Sequence, residues 1–262
     1  MMVAGDRVPG RIRALIGAAG ATRTAYEVLR RRPPGGAGRW ERTNYAGRAV
    51  HLHAGLASAT GTALAAATAP GLPAGARGAA ALAVLAAGGC GAYDDLYGAG
   101  DPRRGFRAHL SALRHGEVTS GAVKLFGIGA AGLAAGALLA ARPVDKVLAG
   151  VVIAGSAHLV NLLDIRPGRA AGAVLAIGAP GLLRRGPAGP LSAAPMGAAA
   201  AVLADDLGER TMLGDCGAHA LGAALGLAIV TGNGRTGLAV HAAGLIAAAA
   251  AGDRVSRAAA AF

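Results

Sequence analysis

Charge is what this sequence has least of. Only 15% of its 262 residues are Asp, Glu, Lys or Arg, against about 25% in an ordinary soluble domain. From Ala49 to Tyr93 the one charge is Arg77, and from Leu125 to Leu163 there are only Arg142, Asp145 and Lys146. A soluble amphipathic helix shows a charge every turn or so on its wet face, so these stretches argue against a soluble helical protein. Lysine occurs only at positions 124 and 146. Two isolated cysteines, Cys90 and Cys216, exclude a disulfide framework, and there is no CxxC pair or zinc-type spacing. No internal repeat or separate soluble domain is evident. Arg13 and Arg23 enclose nine uncharged residues, the low end of a signal-peptide core, and no clear cleavage site follows.

What is present is apolar and small. Hydrophobic residues make up 53% of the chain and mean hydropathy is +0.46, with Ala and Gly supplying most of it. The reading is an all-α, polytopic integral membrane bundle of about eight to nine transmembrane helices, since a span needs roughly 20 mostly apolar residues. Spans are expected near 49–69, 77–93, 119–141, 147–163, 170–183, 187–204, 216–231 and 236–251. Residues 1–48 read as an N-terminal interfacial or weak transmembrane helix over 11–30, followed by a basic loop, and 49–262 as the transmembrane domain. Arg23, Glu27 and Arg30 to Arg32 favour the interfacial reading, and Pro33-Pro34-Gly35-Gly36 breaks that helix.

Carboxylates punctuate this apolar background where long uncharged stretches end. They are Asp94-Asp95 in GAYDDLYG, Asp164 in NLLDIRPG and Asp215 in MLGDCGAH. Two spans separate each from the next, and an even number of crossings returns a chain to the same face. All four should therefore share one side of the membrane. Arg and Lys on that side number fifteen, against six in the opposite loops, which makes the acidic side cytoplasmic. Residues 94–118 read as the longest loop on it.

Each acidic motif has two readings. Adjacent Asp94 and Asp95 are either solvated acids closing a helix or a pair with divided roles, one on Mg²⁺ and one on a substrate or supporting group. Hard cations take carboxylate oxygens, and Mg²⁺ binds phosphates through one or two of them. Asn161 and Asp164, three apart, share a helical face. Asn161 either bonds a neighbouring helix or holds a ribose, base or phosphate. Asp215 either caps the following helix or supplies the metal for an anion at its N-terminus. His219, four residues on, is the best-placed histidine. Asn44 lies in a basic loop with Thr43, Tyr45 and Gly47. Arg103, Arg104, Arg107 and Arg114 suit lipid headgroups, whereas Lys124 enters a span.

These motifs, in this order, resemble those of the polyprenyl-phosphate N-acetylhexosamine-1-phosphate transferase superfamily over roughly residues 40–230. GAYDDLYG is similar to its Asp-Asp loop, AHLVNLLDIRPGRA to its Asn-x-x-Asp-Gly segment, and RTMLGDCGAHALG to its Met-Gly-Asp segment. TNYAGRAV sits where the family has its first cytoplasmic substrate loop. Two departures are plain: Pro167-Gly168 replaces a second Asp-Gly, and Met212 stands in place of an aromatic. The resemblance implies a multi-pass plasma-membrane enzyme with a cytoplasmic active site in cell-envelope glycan assembly. It implies transfer of a sugar 1-phosphate, an N-acetylhexosamine above all, from a UDP-sugar to polyprenyl phosphate, using Mg²⁺, with Mn²⁺ able to replace it. Carried over by position, Asp94, Asp95 and Asp215 are catalytic, and Asp215 and Asp95 are the metal ligands. Asn161, Asp164, Lys124, Asn44 and His219 face substrate. Polyprenyl phosphate, the nucleotide-sugar donor and the membrane are the implied partners, with a homodimer left open and no nucleic acid. The alternative is a non-catalytic homologue that binds polyprenyl phosphate or scaffolds envelope enzymes.

Overall fold

The computed structural model describes residues 7–98, 101, 103 and 106–261. Eleven α-helices and one small hairpin follow in chain order. Helix α1 is Arg7–Arg31, and the hairpin strands are β1, Glu41–Thr43, and β2, Ala49–His51. The remaining helices are α2 His53–Ala67, α3 Ala74–Tyr97, α4 Phe106–Arg114, α5 Ser120–Leu139, α6 Pro143–Leu163 and α7 Arg169–Gly178. A 3₁₀ turn, Ala179–Leu183, extends α7. Then come α8 Ala188–Leu207, α9 Gly214–Gly232, α10 Arg235–Ala250 and α11 Gly252–Ala261. The chain is all-α but for the hairpin.

Helix α9 is the centre. It packs against α2, α3, α6 and α8. Its apolar stretch is 83% buried, where that of α5 is 28% buried. Small residues make this possible. A Cβ on Gly222 would stand 2.4 Å from the Ser156 carbonyl oxygen of α6, so the backbones touch where larger side chains would hold them apart. Helix α1 lies lengthwise on α2 and α8, with Ala18, Thr22 and Tyr26 buried. The helix that the sequence reads as interfacial or a weak span thus packs along the bundle.

Among the described residues four helices, α3, α5, α6 and α9, are long and apolar enough to cross a membrane, or five if α10 and α11, bent by 82°, count as one. That marks a membrane protein by length and composition, but not the eight to nine spans expected from the sequence. The reason is Ala and Gly, which extend helices while adding little hydropathy. Helix α2 begins only at His53 because β2 takes up Ala49–His51, leaving 15 residues. At 1.5 Å per residue this falls short of a bilayer core of roughly 30 Å. Helix α10 has 16 residues and α7 has 10. Helix α8 has 20 but carries Pro195, Asp205 and Asp206. The loop expected over 94–118 contains α4 instead, and α3 continues through both aspartates to Tyr97.

Helix ends at one pole of the bundle are set by specific residues. Thr119 caps α5 by accepting the Ala122 N–H at 3.0 Å. Gly168, with φ +76, turns the chain into α7. The hairpin is clasped to the segment before α9. Met212 N–H donates to the His51 carbonyl at 2.9 Å, and the Thr211 hydroxyl donates to the same oxygen at 2.7 Å.

Candidate functional site

Three helix ends bring the candidate residues together. The Lys124 ammonium, in the second turn of α5, donates to Asp94 Oδ2 on α3 at 2.7 Å and also to Asp215 Oδ2 at the start of α9. The three side chains retain 20–24% of their exposure, so the centre is half-buried. Two carboxylates from different helices thus converge on one cationic group.

Asp95 does something different from its neighbour. Its Oδ1 accepts the Asp215 N–H at 3.0 Å and its Oδ2 accepts the Cys216 N–H at 2.9 Å. These are first-turn amides of α9, whose own preceding residue, Leu213, offers no capping side chain. A carboxylate there also meets the positive end of the helix dipole. Asp95, from another helix, therefore caps α9, and the capping alternative for Asp215 is corrected. The contact requires α3 and α9 to approach closely. A Cβ on Gly91, one turn before Asp95, would lie 2.2 Å from the Asp215 carbonyl oxygen. Gly214 opens α9 with φ +58, a conformation that suits glycine. Both Asp95 oxygens are engaged by amides, so of its expected roles the structural one is visible.

The remaining expected residues do not join this contact. Asp164 closes α6 near the Gly214 N–H. Burial pushes its carboxyl well above the usual range, and the nearby Asp206, Asp215 and Asp95 carboxylates push it further, with the Gly214 N–H opposing. Asn161, one turn inside α6, is half-buried. Asn44 does not reach the centre. Its Oδ1 accepts from the Ala46 and Arg48 N–H groups at 3.0 and 2.9 Å, and its amide donates to Glu209 at 2.6 Å. It shapes the hairpin turn and ties it to the segment before α9. His219 is 1% exposed and its Nδ1 is 2.7 Å from the Asp215 carbonyl oxygen. It lies beneath the centre. Arg104 and the Arg107 side chain lie outside the described residues.

Sequence reasoning passed over Asp205, Asp206 and Glu209. Asp206, buried at the end of α8, accepts the Gly168 N–H at 2.7 Å and so fixes the turn after Asp164. Asp205 pairs with Arg23 at 2.5 Å and Arg210 at 2.8 Å. Glu209 pairs with Arg48 at 3.2 Å. The signal was available, since Asp205-Asp206 is a second acidic pair closing an uncharged stretch, 186–204. Arg42 was also missed; its Nε donates to the Asp95 carbonyl at 3.1 Å and anchors the hairpin to α3.

Two clefts open at this pole. One of about 390 Å³ is lined by Tyr45, Arg166, Gly168, Arg169 and Glu209 among others, with the Arg166 guanidinium 4.9 Å from the centre of the Tyr45 ring. A second of about 320 Å³ lies between α1 and the start of α2, lined by Arg23, Arg30, His51, His53 and Arg210 among others.

Among the described residues no group of three or more His, Cys, Asp or Glu side chains is arranged to hold a metal. Asp94 and Asp215 alone form a two-carboxylate cradle. That fits Mg²⁺, which usually keeps waters and completes its shell with substrate phosphates. It does not fit an all-protein metal cage. No protein-family model matches the chain, and no curated protein matches it.

Proposed function

We propose that this chain transfers a sugar 1-phosphate, most naturally that of an N-acetylhexosamine, from a UDP-sugar to polyprenyl phosphate. The reaction takes place at the cytoplasmic face of the plasma membrane in cell-envelope glycan synthesis. The observation that carries the reading is the meeting of Asp94, Lys124 and Asp215 from three helix ends. The order and spacing of the motifs support it.

The chemistry explains why such a centre is needed. Donor and acceptor are both anions, so attack of one on the other is opposed by charge. A phosphate oxygen of the lipid forms a bond to the β-phosphorus of the donor. The bridging oxygen–β-phosphorus bond breaks, and its electron pair leaves on UMP. Mg²⁺ held by Asp94 and Asp215 would offset charge on the diphosphate. Lys124 supplies a second cation on the same side, and fixed charges of this kind act where charge shifts during transfer. Asp94, paired with Lys124, serves as a metal ligand, and Asp95 is engaged at α9. Asp95 and Gly91 hold Asp215 in place. Asp164 and Asn161, at the end of α6, are placed toward the nucleotide. Arg166 and Arg169 and the arginines of the hairpin offer counter-charge to phosphates. The assignment of this pole to the cytoplasm rests on its fifteen basic residues against six, and on counting the weaker Ala- and Gly-rich helices as crossings.

The test is UMP release by purified protein supplied with undecaprenyl phosphate, Mg²⁺ and a panel of UDP-sugars. Release from one donor, lost in Asp215→Asn, is the expected result. Silence across the panel from folded protein that still binds the lipid would transfer the reading to a lipid-binding homologue without catalysis.

A further inference from the structure

The position of Lys124 says something about how a divalent cation reaches this centre. A metal ion bound by both Asp94 and Asp215 must sit between their facing oxygens, because metal–oxygen bonds are only about 2.1 Å long for Mg²⁺. The Lys124 nitrogen already sits between Asp94 Oδ2 and Asp215 Oδ2. A single positive charge and a double one cannot share that space without strong repulsion. We infer that Lys124 is an internal competitor for the divalent cation, so that the metal loads when an anionic ligand draws the ammonium off the carboxylate pair. The inference rests on the proposed metal use of this site.

Three features make the exchange workable. The lysine side chain has a flexible four-carbon stem and a compact charge, and at 20% exposure it is not sealed from solvent. Among the described residues no third acidic or imidazole ligand stands ready to strengthen the metal site. The two carboxylates less one ammonium leave a single net negative charge for the metal. A diphosphate alters both terms. Its oxygens complete the metal's shell, and its charge gives the ammonium a new partner. Metal and diphosphate should therefore bind with positive coupling, and the coupling must be the same in either order of addition. A lone Mg²⁺ would then be held weakly until a nucleotide diphosphate arrives with it.

Mn²⁺ binding, followed by loss of the free-ion electron paramagnetic resonance signal, tests this on purified full-length protein in detergent. The samples are wild type, Lys124→Met and Lys124→Gln, each without and with UDP. Mn²⁺ alone should bind the two variants at least about tenfold more tightly than wild type, a difference of about 1.4 kcal/mol. UDP should tighten Mn²⁺ in wild type and have a much smaller effect in the variants. If Lys124→Met is poorly folded, Lys124→Gln carries the comparison, and added Mn²⁺ should raise its thermal midpoint more than that of wild type. Unchanged or weaker Mn²⁺ binding in folded variants overturns the inference, whether or not UMP release is observed. Tighter Mn²⁺ binding in the variants, with no UMP release by wild type from any donor, upholds the competition while the transferase reading falls.

Discussion

The two poles of the bundle are built on different terms. At the pole where α3, α6 and α8 end and α5 and α9 begin, carboxylates are held by partners from distant parts of the chain. Asp94 and Asp215 meet Lys124, Asp95 caps α9, Asp206 holds Gly168, and Asp205 joins Arg23 to Arg210. At the other pole, the ion pair among the described residues is Asp145 with Arg235 at 2.6 Å, the arginine exposed and the aspartate partly covered. Arg184 donates there to Asn233, and Arg11 to the Arg184 carbonyl. One pole closes turns. The other assembles convergent, half-buried charge, which is costly to build unless it is paired and is therefore the place to look for chemistry.

Breaking the charged centre should have the largest effect. Asp215→Asn keeps the shape of α9 but removes half the cradle, and sugar-phosphate transfer should fall by on the order of 10²–10³. Binding of the lipid should persist, as checked by retention of the protein on polyprenyl-phosphate vesicles. Next comes the packing that places Asp215. Gly91→Val puts a branched side chain where even a Cβ would collide with the Asp215 carbonyl. It should cost about 1–3 kcal/mol or more, seen as a lower thermal midpoint in detergent together with lost transfer. Removing the cap is smaller. Asp95→Ala leaves two first-turn amides of α9 without their acceptor and should cost about 1–2 kcal/mol, with Asp95→Asn intermediate because one oxygen remains. Both should lower the thermal midpoint and slow transfer through Asp215. The control lies at the other pole. Asp145→Asn should leave transfer unchanged and lower the thermal midpoint only slightly, because a pair near the surface contributes about 0–1 kcal/mol. A large effect there would erase the contrast between the poles.

Much of this contrast was legible before any coordinates. Long uncharged stretches ending in acids marked the helix ends, and Asp94, Asp95, Asp164 and Asp215, expected on one face, lie at one pole, although α7 and α8, two of the crossings counted, are not among the helices long and apolar enough to span. That Asp94 and Asp95 could divide roles was legible, but not which of the two takes which. That depends on Gly91 letting α9 come close, a contact between residues more than a hundred positions apart. Lys124 stood out as a lysine entering a span and facing substrate. Its role as the bridge needs the register of α5 against α3 and α9. Asn44 looked like a ligand because it lies in a basic loop, but its short amide is consumed by its own turn and by Glu209. His219 looked well placed by spacing, yet i to i+4 on α9 carried it inward against the helix backbone. Span counting failed for a compositional reason. Ala and Gly make good close-packing helices but weak hydropathy signals, so α2, α7, α8 and α10 looked alike in sequence and differ in length and polarity in the fold.

On the proposed reading, a donor diphosphate is split between its two phosphates at Asp94, Lys124 and Asp215. The most direct measurement follows the β-phosphate. With UDP-N-acetylhexosamine labelled at the β-phosphorus, undecaprenyl phosphate and Mg²⁺, the label should appear in the lipid fraction with wild type and not with Asp215→Asn. Label that stays in the aqueous phase with every UDP-N-acetylhexosamine, from folded, lipid-binding wild type, would contradict the central claim.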